Sequence, residues 1–197
     1  INIVKERGIY SVEGKGLRGL EDPEKPLDFG NSGTSIRLCS GILSAQSFES
    51  TLIGDSSLSS RPMQRIVEPL TAMGANITSK NGTLPLHISP TDSLKSINYT
   101  LPIASAQVKS CIMLSALYAE GVTTIEENVV TRDHTENIFK HFGIPLEMED
   151  LEGKKRINLT SIDSINPTDI KICGDFSSAS FFILAALICP KSELLIK

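Results

Sequence analysis

Tryptophan is absent and aromatic residues make up only 5% of the chain, so there are few platforms on which a base could stack. Basic side chains are in deficit as well, 19 against 23 acidic ones, for a formal net charge of -4. A nucleic-acid surface needs a basic field and stacking groups, so no nucleic-acid partner is expected. Long hydrophobic runs are also missing. The longest, Phe181 to Cys189, falls far short of the roughly 20 residues that span a bilayer, so no membrane partner is expected either. The N-terminus has no signal-peptide pattern. Cys39, Cys111, Cys173 and Cys189 form no C-x-x-C pair and mostly lie in apolar runs, which reads as reduced core thiols in a cytoplasmic protein. His87, His134 and His141 lack metal-ligand spacing, so neither a metal nor a cofactor is expected.

What is present is an ordinary globular balance, 40% hydrophobic and 21% charged over 197 residues, enough for a single-domain core or slightly more. The charges are oddly placed. Gly30-Asn31-Ser32-Gly33-Thr34-Ser35-Ile36-Arg37 reads as a small-residue turn feeding a helix, with an arginine where the helix dipole is already positive. The same placement recurs at Arg61-Pro62, where proline marks a first helical position, and at Thr131-Arg132-Asp133-His134-Thr135-Glu136. Lys109, just inside the helix after Ser105-Ala106-Gln107, is a fourth case. Each such cation costs about 0.3–1 kcal/mol if nothing answers it, and bound phosphate or carboxylate groups would answer all of them.

The chain also repeats weakly at a period of roughly 70 residues. The stretch from Gly33 to Ser40 resembles that from Ser105 to Ile112, and both resemble that from Ser177 to Leu184. Strands are expected at Ser50–Ile53 and Val122–Ile125. Second helices follow from Arg61 and from Arg132, ending at the C-capping glycines Gly74 and Gly143. Strands over 75–78 and 144–148, then 85–88 and 156–159, close the two copies. Residues 22–26 and 90–93 read as loops, 165–168 as a linker, and Ile172 onward as the start of a third copy ending in an unfinished strand, Leu194-Leu195-Ile196.

Five strings in order carry a family likeness: Leu27 to Arg37; Arg61-Pro62-Met63 with Leu70-x-x-Met73-Gly74-Ala75; Ala104 to Ser110; Thr131 to Glu136; and Gly174-Asp175-x-Ser177-Ser178-Ala179. Together they resemble the 5-enolpyruvylshikimate-3-phosphate synthase family, in its bacterial second sequence class. The resemblance implies an α/β fold of repeated βαβαββ units around a pseudo-threefold axis. Residues 1–173 would form the N-terminal domain without its first part, and 174–197 the start of a second domain. It implies transfer of the enolpyruvyl group of phosphoenolpyruvate to the 5-hydroxyl of shikimate 3-phosphate with release of phosphate, in aromatic amino acid biosynthesis. Asn31, Gly33, Thr34, Arg61 and Gln107 would bind phosphoenolpyruvate. Ser105, Ala106, Gln107, Thr131 and Arg132 would bind shikimate 3-phosphate. The room beside Gly33 is where the family admits glyphosate.

The acid–base groups of this family lie in a second domain and a Lys-Ser…Arg motif near its N-terminus, so no catalytic residue is assigned here. Asp175 and Glu136 read as helix-start capping and dipole compensation instead. Because the chain opens at Ile1 and stops after an apolar run, it is expected to be a fragment that binds anions weakly without turnover. Taken singly, Asn31 to Thr34 is an N-cap turn, Arg61 a surface arginine, and Arg132 a partner for Asp133 or Glu136. Two alternatives remain: a non-catalytic anion-binding half-domain, and the related transferase acting on UDP-N-acetylglucosamine. The loop Gly54 to Ser60 lacks the reactive cysteine expected of the latter.

Overall fold

Three two-residue turns, Arg7-Gly8, Asn81-Gly82 and Glu152-Gly153, hold both central residues at positive φ in the computed structural model, which describes residues 1–196. That is the type I′ geometry, whose twist matches the flanking strands, and each turn closes a hairpin. The first joins β1 (Asn2–Glu6) to β2 (Ile9–Glu13). After it come β3 (Leu27–Asp28), α1 (Gly33–Leu43), β4 (Ser50–Ile53), the short α2 (Ser56–Ser59) and α3 (Gln64–Ala72). The second hairpin joins β5 (Asn76–Lys80) to β6 (Thr83–Ser89). Then follow β7 (Leu94–Lys95), β8 (Asn98–Thr100), α4 (Ala106–Ala116), β9 (Ala119–Glu120), β10 (Val122–Glu127) and α5 (His134–His141), with β11 (Leu146–Leu151) and β12 (Lys154–Thr160) as the third hairpin. The last element is α6 (Phe176–Ile188).

Two four-stranded sheets repeat one topology. In the order β3-β4-β6-β5 the first pair is parallel, linked through α1, and the other two pairs are antiparallel. The order β8-β10-β12-β11 has the same directions, linked through α4. Each sheet thus closes one βαβαββ unit of the kind expected. The hairpin β1–β2 matches the closing ββ of such a unit, a match that the sequence reading missed. The third copy read from Ile172 supplies α6, capped by Asp175, but no strand among the described residues.

Contacts divide the chain into two compact units, residues 1–167 and 168 onward. The first holds a continuous core in which Ile36, Leu52, Met63, Leu70, Leu86, Ile112, Ile125 and Ile157 are fully buried. Helices α1 and α4 meet at Gly41. A Cβ there would run into the Cys111 carbonyl, and the Ser115 hydroxyl donates to the Gly41 carbonyl at 3.1 Å. In the second unit no residue of α6 is buried.

Four expectations need correction. Helix α3 starts at Gln64, not at Pro62: the Met63 N–H goes to the Gly82 carbonyl at 2.7 Å and that of Arg61 to Leu58, so Arg61-Pro62 is a turn. The repeat register shifts by one, because the capping serines Ser32 and Ser105 are the structural equivalents rather than Gly33 and Ser105. Only Cys111 is a core thiol, with burial pushing its pKa up to about 12, whereas Cys39 is half-buried and Cys173 and Cys189 are exposed. Leu194 to Ile196 form no strand.

Candidate anion-binding site

The start of α1 is built from a tight turn. Ser32 caps the helix by accepting from the Ser35 N–H at 3.1 Å, so the backbone ahead of it is already turned and Gly33 lies buried at the first helical position. Across from it, Asp55 caps α2 by accepting from the Leu58 N–H at 2.7 Å and takes a second bond from the Asn31 side-chain amide, also at 2.7 Å. These two bonds hold its carboxyl below the usual aspartate range. With its amino group spent on Asp55, Asn31 presents its oxygen to Arg61, which donates at 2.6 Å.

Arg37, one turn into α1, donates to the Gln107 side-chain oxygen at 2.6 Å and to the Pro62 carbonyl at 3.2 Å. Gln107 in turn donates to the Thr34 hydroxyl at 2.8 Å. The guanidinium ends of Arg61 and Arg37 flank Gly33 so closely that a Cβ there would lie 3.0 and 3.2 Å from them. Burial lowers the pKa of Arg37, and the charges of Arg61 and Arg65 lower it further. Asn31, Gly33, Thr34, Arg61 and Gln107 therefore share one location. Arg37 and Arg65 join them although neither was among the expected ligands; Arg65 lies four residues beyond Arg61, a helical spacing that could have drawn notice.

The second expected group is arranged differently. Ser105 caps α4 by accepting from the Val108 N–H at 3.4 Å, and Ala106 and Gln107 form the first turn. Thr131 and Arg132 stand in the loop before α5, where Arg132 is exposed and makes no ion pair with Asp133 or Glu136. That loop is anchored by Glu127, whose Oε1 accepts from the Thr131 N–H at 3.2 Å and the Thr131 hydroxyl at 2.5 Å. Nothing in the sequence flagged Glu127.

Lys109 does not face an anion site. It is fully buried, donating to Glu127 at 3.0 Å and to Glu136 at 2.7 Å, with Lys155 a further 3.4 Å from Glu136. Glu136 is likewise buried and charge-paired rather than a surface dipole partner, with its Oε2 left without a hydrogen bond. Burying such ions costs several kcal/mol each before pairing, so the cluster needs a role beyond packing.

A shallow depression of about 420 Å³ lies elsewhere, over Asn98, Thr100, Thr124, Glu126, Arg156 and Asn158. Its one cation, Arg156, is neutralised by Glu126 and Glu149, so the depression offers no anion a welcome. Among the described residues no three metal-ligating side chains come together, and no helix is long and apolar enough to cross a membrane.

Paired βαβαββ units that bring two capped helix starts and a set of arginines together define an α/β domain for small anionic ligands. The chain belongs to the EPSP synthase (3-phosphoshikimate 1-carboxyvinyltransferase) family, whose model matches residues 1–197. It is 49% identical to the 3-phosphoshikimate 1-carboxyvinyltransferase of Hydrogenovibrio crunogenus, over 97% of this chain and 43% of that protein. It is 48% identical to that of Coxiella burnetii, over 98% and 43%. EPSP synthase from Acinetobacter baumannii has a similar solved structure, with TM-score 0.83 and 45% identity, over 94% of this chain and 41% of that one. The chain thus spans about two fifths of the length of the relatives it matches.

Proposed function

We propose that this chain supplies much of the substrate-anion site of a cytoplasmic 3-phosphoshikimate 1-carboxyvinyltransferase. Phosphoenolpyruvate would rest against Gly33 and Thr34, held by Arg61 and Arg37 with Gln107 alongside. The 3-phosphate of shikimate 3-phosphate would take the Ser105 hydroxyl and the free N–H groups that open α4, with Thr131 and Arg132 closing over it. The observation that carries this reading is the convergence of Arg37 and Arg61 on Gly33 with Arg65 nearby, three like charges that repel unless an anion lies among them. Charge develops on the departing phosphate during enolpyruvyl transfer, and cations fixed in advance stabilise it without rearranging. The acid–base groups lie outside these residues in the family, so the chain by itself binds and does not turn over.

Titration with each substrate, followed by an assay for released phosphate, tests the proposal. Binding of both without phosphate release is the expected result. Turnover by the purified chain, or no saturable binding of either anion, would overturn it.

A further inference from the structure

The buried cluster of Lys109, Glu127 and Glu136 gains meaning from the other repeat. With Ser32 set against Ser105, the residue four beyond the cap is Ile36 in one repeat and Lys109 in the other. With the C-capping glycines Gly74 and Gly143 set together, Val67 stands where Glu136 stands. Leu86 and Ile157, each four residues past its turn glycine, pair with Leu52 and Ile125, which sets Gly54 against Glu127 two positions on. One unit therefore fills this locus with isoleucine, valine and glycine, and the other with one lysine and two glutamates. The fold does not require charge there.

The charge buys a link between two loops. Glu127 turns Oε2 to Lys109, one turn inside the helix that starts at Ser105, and Oε1 to the N–H and hydroxyl of Thr131. A single carboxylate thereby joins Ser105–Gln107 to Thr131–Arg132. Oε1 is already committed to that loop by two bonds, and the ammonium fixes the carboxylate's other end. We propose that Glu127 is a positioning residue that sets Thr131 and Arg132 for recognition of the phosphorylated alcohol substrate. The ligand part of this inference rests on the function proposed above; the placement of the loop does not.

Two double variants of the whole chain isolate the effect, since both remove the lysine and one carboxylate charge. Lys109→Met/Glu127→Gln keeps an acceptor that can turn to Thr131, and Lys109→Met/Glu127→Ala does not. Amide hydrogen exchange at Thr131 and titrations with shikimate 3-phosphate and with phosphoenolpyruvate are the readouts. The glutamine double variant should stay within about three-fold of the unaltered chain. The alanine one should show about ten-fold faster exchange and about ten-fold weaker shikimate 3-phosphate binding, the worth of one good hydrogen bond. Phosphoenolpyruvate affinity should be equal in the two. Equal behaviour of the pair at Thr131, or equal loss of both ligands, would overturn the proposal. If exchange separates the pair while the unaltered chain binds no shikimate 3-phosphate, positioning by Glu127 stands and the ligand assignment fails.

Discussion

A guanidinium has five N–H donors, and Arg37 has committed two of them, to Gln107 and to Pro62. The rest remain for a ligand, beside a glycine that leaves both neighbouring arginines their room. Gly33→Ala tests that room. The new methyl would meet only the flexible ends of Arg61 and Arg37, and alanine suits a helix better than glycine. Unfolding free energy should change by less than about 1 kcal/mol while phosphoenolpyruvate affinity falls several-fold, a split that calorimetry and denaturant titration together reveal. Asp55 provides a second test, through pH. Its folded-state pKa is depressed by the Leu58 N–H and the Asn31 amide, so its contribution is complete above the ordinary aspartate range and is lost as pH falls through the lower folded-state value. Protonation there releases Asn31, and with it the orientation of Arg61. Phosphoenolpyruvate binding followed across the acidic range should weaken at a higher pH in Asn31→Ala, where this support is already gone, than in the unaltered chain.

At the scale of elements, the hairpins are set by their turns. Asn81 sits at φ +54, a conformation that costs most side chains about 1–2 kcal/mol and asparagine less. Asn81→Ala should destabilise the chain by about 1 kcal/mol and Asn81→Gly should be close to neutral, measured by urea unfolding. Asn-Gly is the strongest short hairpin signal there is, yet the sequence reading located the strands on either side through their β-rich runs and passed over the turn. The helices were legible because their signals are local: small capping residues ahead of apolar runs, and glycine behind. Arg61-Pro62 misled because a proline before a helix and a proline inside its first turn look alike until Met63 is seen bonding to Gly82, a contact with another hairpin. Lys109 misled for the same reason. Its position near a helix start was visible, but the two glutamates that neutralise it come from β10 and α5 and meet only in the fold.

At the scale of the whole molecule, every buried apolar residue among those described lies at or before Leu159. Helix α6, by contrast, leaves Phe176, Phe181, Leu187 and Ile188 at least 70% exposed. Such a surface on a free chain binds hydrophobic dyes and promotes association. Ending the chain after Pro167 should therefore lower dye fluorescence and leave the thermal midpoint within a few degrees, since the core is retained. A collapse of the midpoint would show that the last thirty residues support the first unit. The core that survives includes the crossing of α1 and α4 at Gly41, where no side chain stands between the helices. Their two openings are spaced by main chain against main chain, which thermal rotamer hopping cannot stretch. The pair works like a fixed gauge: a stiff diacid of matching span should bind well, and one a single carbon longer should lose affinity abruptly rather than by degrees.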